Sequence, residues 1–203
     1  MTRNARIQQE IARQIEESIA VKRRVLEEMG EPIAACAAKM VETLRKGGKL
    51  LLCGNGGSAA DAQHIAAELV VRLRGAFERP AIPALALTVD TSVLTACSND
   101  YGFERVFARQ IEALGQPGDV LIAISTSGNS PNVIEAVHVA RQKGIYVVGW
   151  LGGAGGRLQP LVDLPLVVPS STTARIQEAH ILIGHIVCQI VETELFAESS
   201  NRP

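Results

Sequence analysis

The sequence predicts an α/β fold: a three-layer, doubly wound, five-stranded parallel sheet with two helices ahead of it. Three observations carry this. Short apolar runs without polar alternation recur along the chain, as strands buried on both faces require. Helical patterns separate them in steady alternation, the sign of repeated strand–helix–strand units. Two glycine- and serine-rich turns, Gly54-Asn55-Gly56-Gly57-Ser58 and Ser125-Thr126-Ser127-Gly128-Asn129-Ser130, each stand between an apolar run and a helical pattern.

In chain order, Ile7, Ile11, Ile15 and Ile19 recur at a spacing of four within residues 5–29, an amphipathic helix. Gly30 is expected to end it, Pro32 to restart a second helix to about residue 46, and Gly47-Gly48 to close that one. The first helix either covers its own domain or packs on a partner subunit, and its length relative to a small domain favours the partner. Lys49-Leu50-Leu51-Leu52-Cys53 is the first strand, and residues 59–73 read as the helix after the first turn. Pro80 and Pro83 break the chain before a short strand over 84–88. A helix over about 91–98, a turn at Asn99-Asp100-Tyr101-Gly102 and a helix over 104–114 lead to the strand Asp119-Val120-Leu121-Ile122-Ala123-Ile124. Pro131 sits in the first turn of the next helix, where its missing N–H costs little, and Gly144 ends that helix. A strand over 145–150, the run Gly152-Gly153-Ala154-Gly155-Gly156, a strand over 164–168 and a helix over about 172–196 follow. The glycine run reads equally as another anion turn or as a flexible connection. One domain over 1–203 is expected, with helices for packing or oligomerisation over 1–47, the α/β core over 48–197 and a frayed tail over 198–203.

Composition narrows the functional classes. Lysine plus arginine number 20 against 21 acidic residues, so no net field draws the chain to nucleic acid or to an anionic membrane. Cys36, Cys53, Cys97 and Cys188 form no Cys-x-x-Cys pair and read as reduced core residues of a cytoplasmic protein. The charged N-terminus and the lack of a long uninterrupted apolar stretch support neither a signal peptide nor a transmembrane helix.

A strand–turn–helix junction presents unpaired N–H groups and the positive end of a helix dipole, and it therefore favours an anion. The two turns fit neither the Gly-x-Gly-x-x-Gly fingerprint nor a P-loop, which removes the commonest nucleotide readings. In doubly wound sheets the ligand crevice lies outside the carboxyl ends of the strands. If the two strands are neighbours, one phosphate is held by both turns and the rest of the ligand points toward the following helices. On the helix after the first turn, His64 and Glu68 share a face, extended by Asp61 and Arg72. They read as a metal-ligating or acid/base pair, or as an exposed face of i,i+4 partners. On the last helix, Glu178 and His185 fall nearest one face, with Gln177 roughly 80° from His185. They form a satisfied buried pair or a site opening on a cavity. His180 and His138 are weaker candidates, and His138 reads as structural or solvated.

Taken together, the two turns, Asp61-Ala62-Gln63-His64 with Glu68, and Arg175-Ile176-Gln177-Glu178 with His185 resemble the phosphoheptose isomerase family of the sugar isomerase (SIS) superfamily, over nearly the whole chain. The resemblance implies a flavodoxin-like SIS domain and the conversion of sedoheptulose 7-phosphate to D-glycero-D-manno-heptose 7-phosphate, toward ADP-heptose and the lipopolysaccharide core. It implies a homotetramer with active sites shared between subunits. It assigns Ser58, Ser125, Thr126, Ser127 and Ser130 to the phosphate, and Asn55, Gly56, Gly57, Arg72, Asp90 and Gln177 to the substrate. Glu68 and His185 become the acid/base pair, and His64, Glu68, Gln177 and His185 the ligands of one zinc ion. Here the resemblance prefers Gln177 to Glu178. Ala174 departs from members that carry an aspartate before the arginine. Two other readings stand beside this one: an isomerase for a different phosphosugar, and a non-catalytic SIS adaptor of replication initiation, which lacks the carboxylate and histidine found here at Glu68 and His185.

Overall fold

The structure, a computed structural model, describes residues 2–196. Helix α1 (Arg3–Glu28) begins at Thr2, whose hydroxyl accepts a hydrogen bond from the Ala5 N–H, and α2 (Gly30–Arg45) follows after Met29 alone. Gly30 therefore opens α2 instead of ending α1. The break is made by the non-helical φ and ψ of Met29, −119° and 4°, and the chain needs no left-handed residue there. Gly47, at φ 82°, does close α2 as its sequence position suggests.

The sheet has the order β2-β1-β3-β4-β5 and is parallel throughout, from β1 (Leu50–Cys53), β2 (Ala84–Ala86), β3 (Val120–Ser125), β4 (Tyr146–Gly152) and β5 (Leu164–Val168). Strands β1 and β3 are neighbours, with Cys53 opposite Ala123. The strand order reverses at β1, and the two serine-rich turns follow the carboxyl ends of β1 and its neighbour β3. Leu50, Leu52, Val120, Ile122, Ile124 and Trp150 face one core, toward α1, α2, α3 (Gly57–Val70) and α7 (Thr173–Phe196). Leu51, Leu121, Ala123 and Leu151 face the other, toward α4 (Thr91–Tyr101), α5 (Val106–Leu114) and α6 (Pro131–Gln142). The alternation is hidden in the sequence because both faces are covered and both want apolar side chains.

Two further local expectations need correction. Helix α4 runs through Asn99, Asp100 and Tyr101, and the chain turns only at Gly102, whose φ of 91° excludes a side chain. Helix α3 ends at Val70, so Arg72 lies beyond it and does not extend the His64–Glu68 row. Among the described residues, α7 alone is long and apolar enough to pass as a membrane span, but it packs against α2, α3 and the sheet. The expected tail over 198–203 lies outside the described residues. All four cysteines are buried and unpaired by disulfides.

On α1 the stripe Ile7, Ile11, Ile15 and Ile19 is 45 to 55% exposed, so this chain covers only Val25 of that helix fully. The helix is held by polar contacts: Arg175 donates to the Gln14 carbonyl at 2.6 Å and Arg24 to the Pro169 carbonyl at 2.8 Å.

Candidate active site

The two glycine- and serine-rich turns stand side by side. Gly56, at φ 55°, turns the chain from β1 into α3, and no side chain caps that helix. Ser130 precedes α6, again without a side-chain cap, and Pro131 begins the helix. Two helix N-termini thus leave first-turn groups for a ligand. The turns are tied by a reciprocal amide pair: Asn55 Nδ2 donates to Asn132 Oδ1 and Asn132 Nδ2 to Asn55 Oδ1, each at 2.8 Å. Asn132 is buried and was not visible as a functional residue in the sequence, because its partner comes from the other turn.

Ser58 and Ser125 are buried, Thr126 and Ser130 half-buried, and Ser127 exposed. The Ser125 and Ser130 hydroxyls share a hydrogen bond at 2.9 Å, and Ser127 Oγ accepts from the Asn129 N–H at 3.2 Å. The glycine run after β4 packs backbone against backbone on this turn. A Cβ at Gly128 would meet Gly155 O at 1.9 Å, and one at Gly156 would meet Ser127 O at 2.5 Å. Leu158 N–H donates to Gly128 O at 2.9 Å and Arg157 N–H to Asn129 Oδ1 at 3.1 Å. Its glycines therefore serve close approach, and the run buttresses the second turn.

Beyond the turns, α3 and α7 cross and bring three predicted residues together. His64 Nε2 lies 2.9 Å from His185 Nε2 and 3.1 Å from Glu68 Oε1, and one ligand atom of each falls within 4.8 Å of the others. The crossing is close because residue 184 is glycine: a Cβ there would lie 2.3 Å from Ile65 Cδ1 and 3.2 Å from Trp150 Cη2. His64 is exposed, and Glu68 and His185 are half-buried, so the cluster is open to a ligand. Two imidazole nitrogens and a carboxylate oxygen can hold a metal ion. The edge of a zinc tetrahedron with bonds of about 2.0 Å is about 3.3 Å, near both observed separations.

Gln177, one turn into α7, lies over the first residue of α3: a Cβ at Gly57 would meet its Nε2 at 2.4 Å. Glu178 instead pairs with Arg175 at 2.5 Å, so it does not join His185 as helical spacing alone suggested. Asp61, a turn before His64, is half-buried, and burial pushes its carboxyl up to about 6 against the lowering pull of His64. Asp90 caps α4, accepting from the Val93 N–H at 2.9 Å. Arg72 pairs with Glu78 at 2.5 Å. His180 is fully buried against the sheet, its Nε2 3.0 Å from Leu151 O, and His138 is exposed.

The SIS domain family model matches residues 14–152. A phosphoheptose isomerase of Roseiflexus sp. (strain RS-1) is 63% identical over 91% of this chain and 93% of its own length. The solved phosphoheptose isomerase of Neisseria gonorrhoeae superposes with a TM-score of 0.87 at 46% identity, covering 92% of this chain and 99% of its own. That of Francisella tularensis gives 0.89 at 41% identity, covering 95% and 100%. With this likeness running from the leading helices to the last one, the chain belongs to the SIS domain proteins and, among them, to the phosphoheptose isomerase family.

Proposed function

We propose that this chain is the aldose–ketose isomerase that interconverts sedoheptulose 7-phosphate and D-glycero-D-manno-heptose 7-phosphate. One observation carries the reading beyond phosphate binding: a carboxylate and two imidazoles converge on helices that begin at, or pack over, the anion turns. A non-catalytic adaptor needs the turns alone. An isomerase also needs a base, an acid and a stabiliser for developing negative charge.

The phosphate is assigned to Ser58, Ser125, Thr126, Ser127 and Ser130 with the two helix N-termini, and Asn55, Gly56 and Gly57 border the sugar. This anchor orients the open-chain sugar, so its binding energy lowers the barrier as well as KM. Arg72 and Asp90 are kept as substrate contacts on the strength of the resemblance. In the ketose-to-aldose direction, one of Glu68 and His185 removes a proton from C1 while the other protonates O2, which leaves an enediol across C1 and C2. The carbon-bound proton then returns to C2 as O1–H gives up its proton. No net proton is gained or lost. His64, Glu68 and His185, with Gln177, would hold zinc. When bound, that ion supplies Lewis-acid polarisation of the sugar oxygens.

The exposed isoleucine stripe of α1 supports a homotetramer in which neighbouring subunits cover that face and complete each other's sites. Reduced buried cysteines accord with a cytoplasmic enzyme that feeds ADP-heptose and lipopolysaccharide core synthesis.

The test is turnover of sedoheptulose 7-phosphate by purified protein, with and without thorough chelation, beside Glu68→Gln and His185→Ala. The expected result is zinc-dependent turnover that both variants abolish. No turnover with zinc present would sink the isomerase reading, and full activity after metal removal would sink the zinc assignment alone. Binding of a replication initiator without turnover would favour the adaptor.

A further inference from the structure

Behind the histidine cluster, α3 ends in an unusual way. Val71 N–H still bonds to Ala67 O at 2.9 Å, but the helix stops before the Glu68 carbonyl finds a backbone donor. That carbonyl is satisfied from the far side of the 71–80 loop. Arg79 Nη2 donates to it at 2.8 Å, placing a cation at the negative end of the helix. The same guanidinium donates through Nη1 to Pro80 O at 2.9 Å and through Nε to Glu192 Oε1 at 2.9 Å. The side chains of Arg79 and Glu192 are both 0% exposed, which makes this the one fully buried ion pair among the described residues. Glu192 also accepts from the Leu73 N–H at 3.1 Å and from Arg74 Nε at 3.2 Å, so both of its carboxylate oxygens are engaged.

Glu192 stands on α7 two turns beyond His185 and, at 3.6 residues per turn, on the same face. The guanidinium of Arg79 therefore touches the backbone of one proposed proton-transfer residue and, through Glu192, the helix that carries the other. A buried ion pair of this kind contributes little net stability compared with apolar residues of the same shape. What it does supply is a fixed direction, because the planar fork must meet both acceptors at once.

We propose that Arg79 and Glu192 are positioning residues for the isomerisation: they lock the α3 C-terminus to α7 and so set the distance between Glu68 and His185. This rests on the acid/base reading of those two side chains. The phosphate turns lie at the opposite end of α3. Loosening the lock therefore lowers kcat and leaves KM nearly unchanged.

Two variants separate geometry from stability. Arg79→Lys keeps the charge opposite Glu192 but lacks the fork needed to reach Glu68 O as well. The double variant Arg79→Met/Glu192→Leu removes both charges together, so neither is left buried alone. Both are made in the full chain and assayed zinc-replete, with thermal melting alongside. Each variant leaves polar groups of the lock without a partner, the Glu68 carbonyl in both and the Leu73 N–H in the double variant, so the expected result is a folded protein that melts several degrees below the parent, at about 2–4 °C per kcal/mol, with kcat lower by about 10- to 100-fold and KM within about threefold, as a displacement near 1 Å at the reacting groups produces. A kcat within twofold of the parent in either variant overturns the proposal. So does failure of both to fold, which would make the pair a device of stability alone, and so does a rise in KM that accounts for the whole loss. Glu68→Gln in the parent background keeps the two claims apart. If it retains activity the acid/base reading fails, and if it is inactive while Arg79→Lys is unaffected only the lock fails.

Discussion

Gly184→Ala is the substitution whose effect follows most directly from the helix crossing. The added methyl would stand 2.3 Å from Ile65 Cδ1, 2.9 Å from Ile65 Cγ1 and 3.2 Å from Trp150 Cη2. Carbon atoms settle at about 3.5–4.0 Å, so Ile65 or α7 must move by about 1.2 Å or more. Ile65 and Trp150 are 2% and 1% exposed, which leaves the isoleucine terminus little room to swing away. Overpacking of this sort costs about 1–3 kcal/mol, offset by about 1 kcal/mol from alanine's better helix propensity. At about 2–4 °C of Tm per kcal/mol for a domain of this size, melting falls by no more than about 8 °C. The effect on turnover is larger, because residues 64 and 185 flank the contact on either side. Separating them by about 1 Å predicts a kcat loss of about 10- to 100-fold. Steady-state assay of sedoheptulose 7-phosphate turnover, with calorimetry on the same samples, measures both. Adding Ile65→Val deletes the atom at 2.3 Å and should recover part of the rate, as a double-mutant cycle on contacting residues reveals. A Gly184→Ala enzyme with kcat within twofold of the parent would refute the claim that this crossing sets the site.

Other outcomes follow from neighbouring contacts. Gly57→Ala should push the Gln177 amide from its place, lowering zinc affinity in equilibrium dialysis by about tenfold, the scale of a disturbed metal environment, with little change in Tm. Asn132→Ala removes both amide bonds between the turns; urea unfolding should show a loss of about 1–3 kcal/mol, and KM for the sugar phosphate should rise. Burial holds the His180 imidazole down at about 4 from an ordinary 6.5. The unfolded chain therefore takes up this proton first as pH falls, and stability present above pH 6.5 is lost progressively toward pH 4, by about 3 kcal/mol from this group. His180→Asn should flatten that acid limb in denaturant titrations across the same window, and an unchanged slope would remove His180 as its source.

The strands and both anion turns were legible because their causes are local. Unbroken apolar runs such as Leu50 to Cys53 have one economical use in an α/β chain, and Gly56 or Gly128 marks a backbone that no other residue adopts easily. His64 and Glu68 were legible as a pair through i,i+4 spacing. Their union with His185 was readable only through the family resemblance, since nothing local links α3 to α7. The end of α3 was missed for a physical reason: Val70-Val71-Arg72-Leu73 contains no stop signal, and the terminating contacts come from Arg79 and Ile82 after the chain has looped back. Asn132, Gly184 and Glu192 share that origin. Each owes its identity to a partner remote in sequence, which propensity and periodicity do not register. The spacing of the α1 isoleucines makes that helix amphipathic, and the structure adds that this chain leaves their apolar face uncovered.

The Asn55–Asn132 bridge has a kinetic meaning as well. The two turns it joins become one receptor only after β1 has found β3 across a long intervening segment, a non-local pairing of the kind that closes late in folding. A chain that has not completed the sheet cannot bring the two turns together. Any sugar phosphate bound there is bound by the native state alone, and stabilises it by RT ln(1 + [L]/Kd). A cell rich in substrate would thereby shift the folding equilibrium of its own enzyme toward the native form.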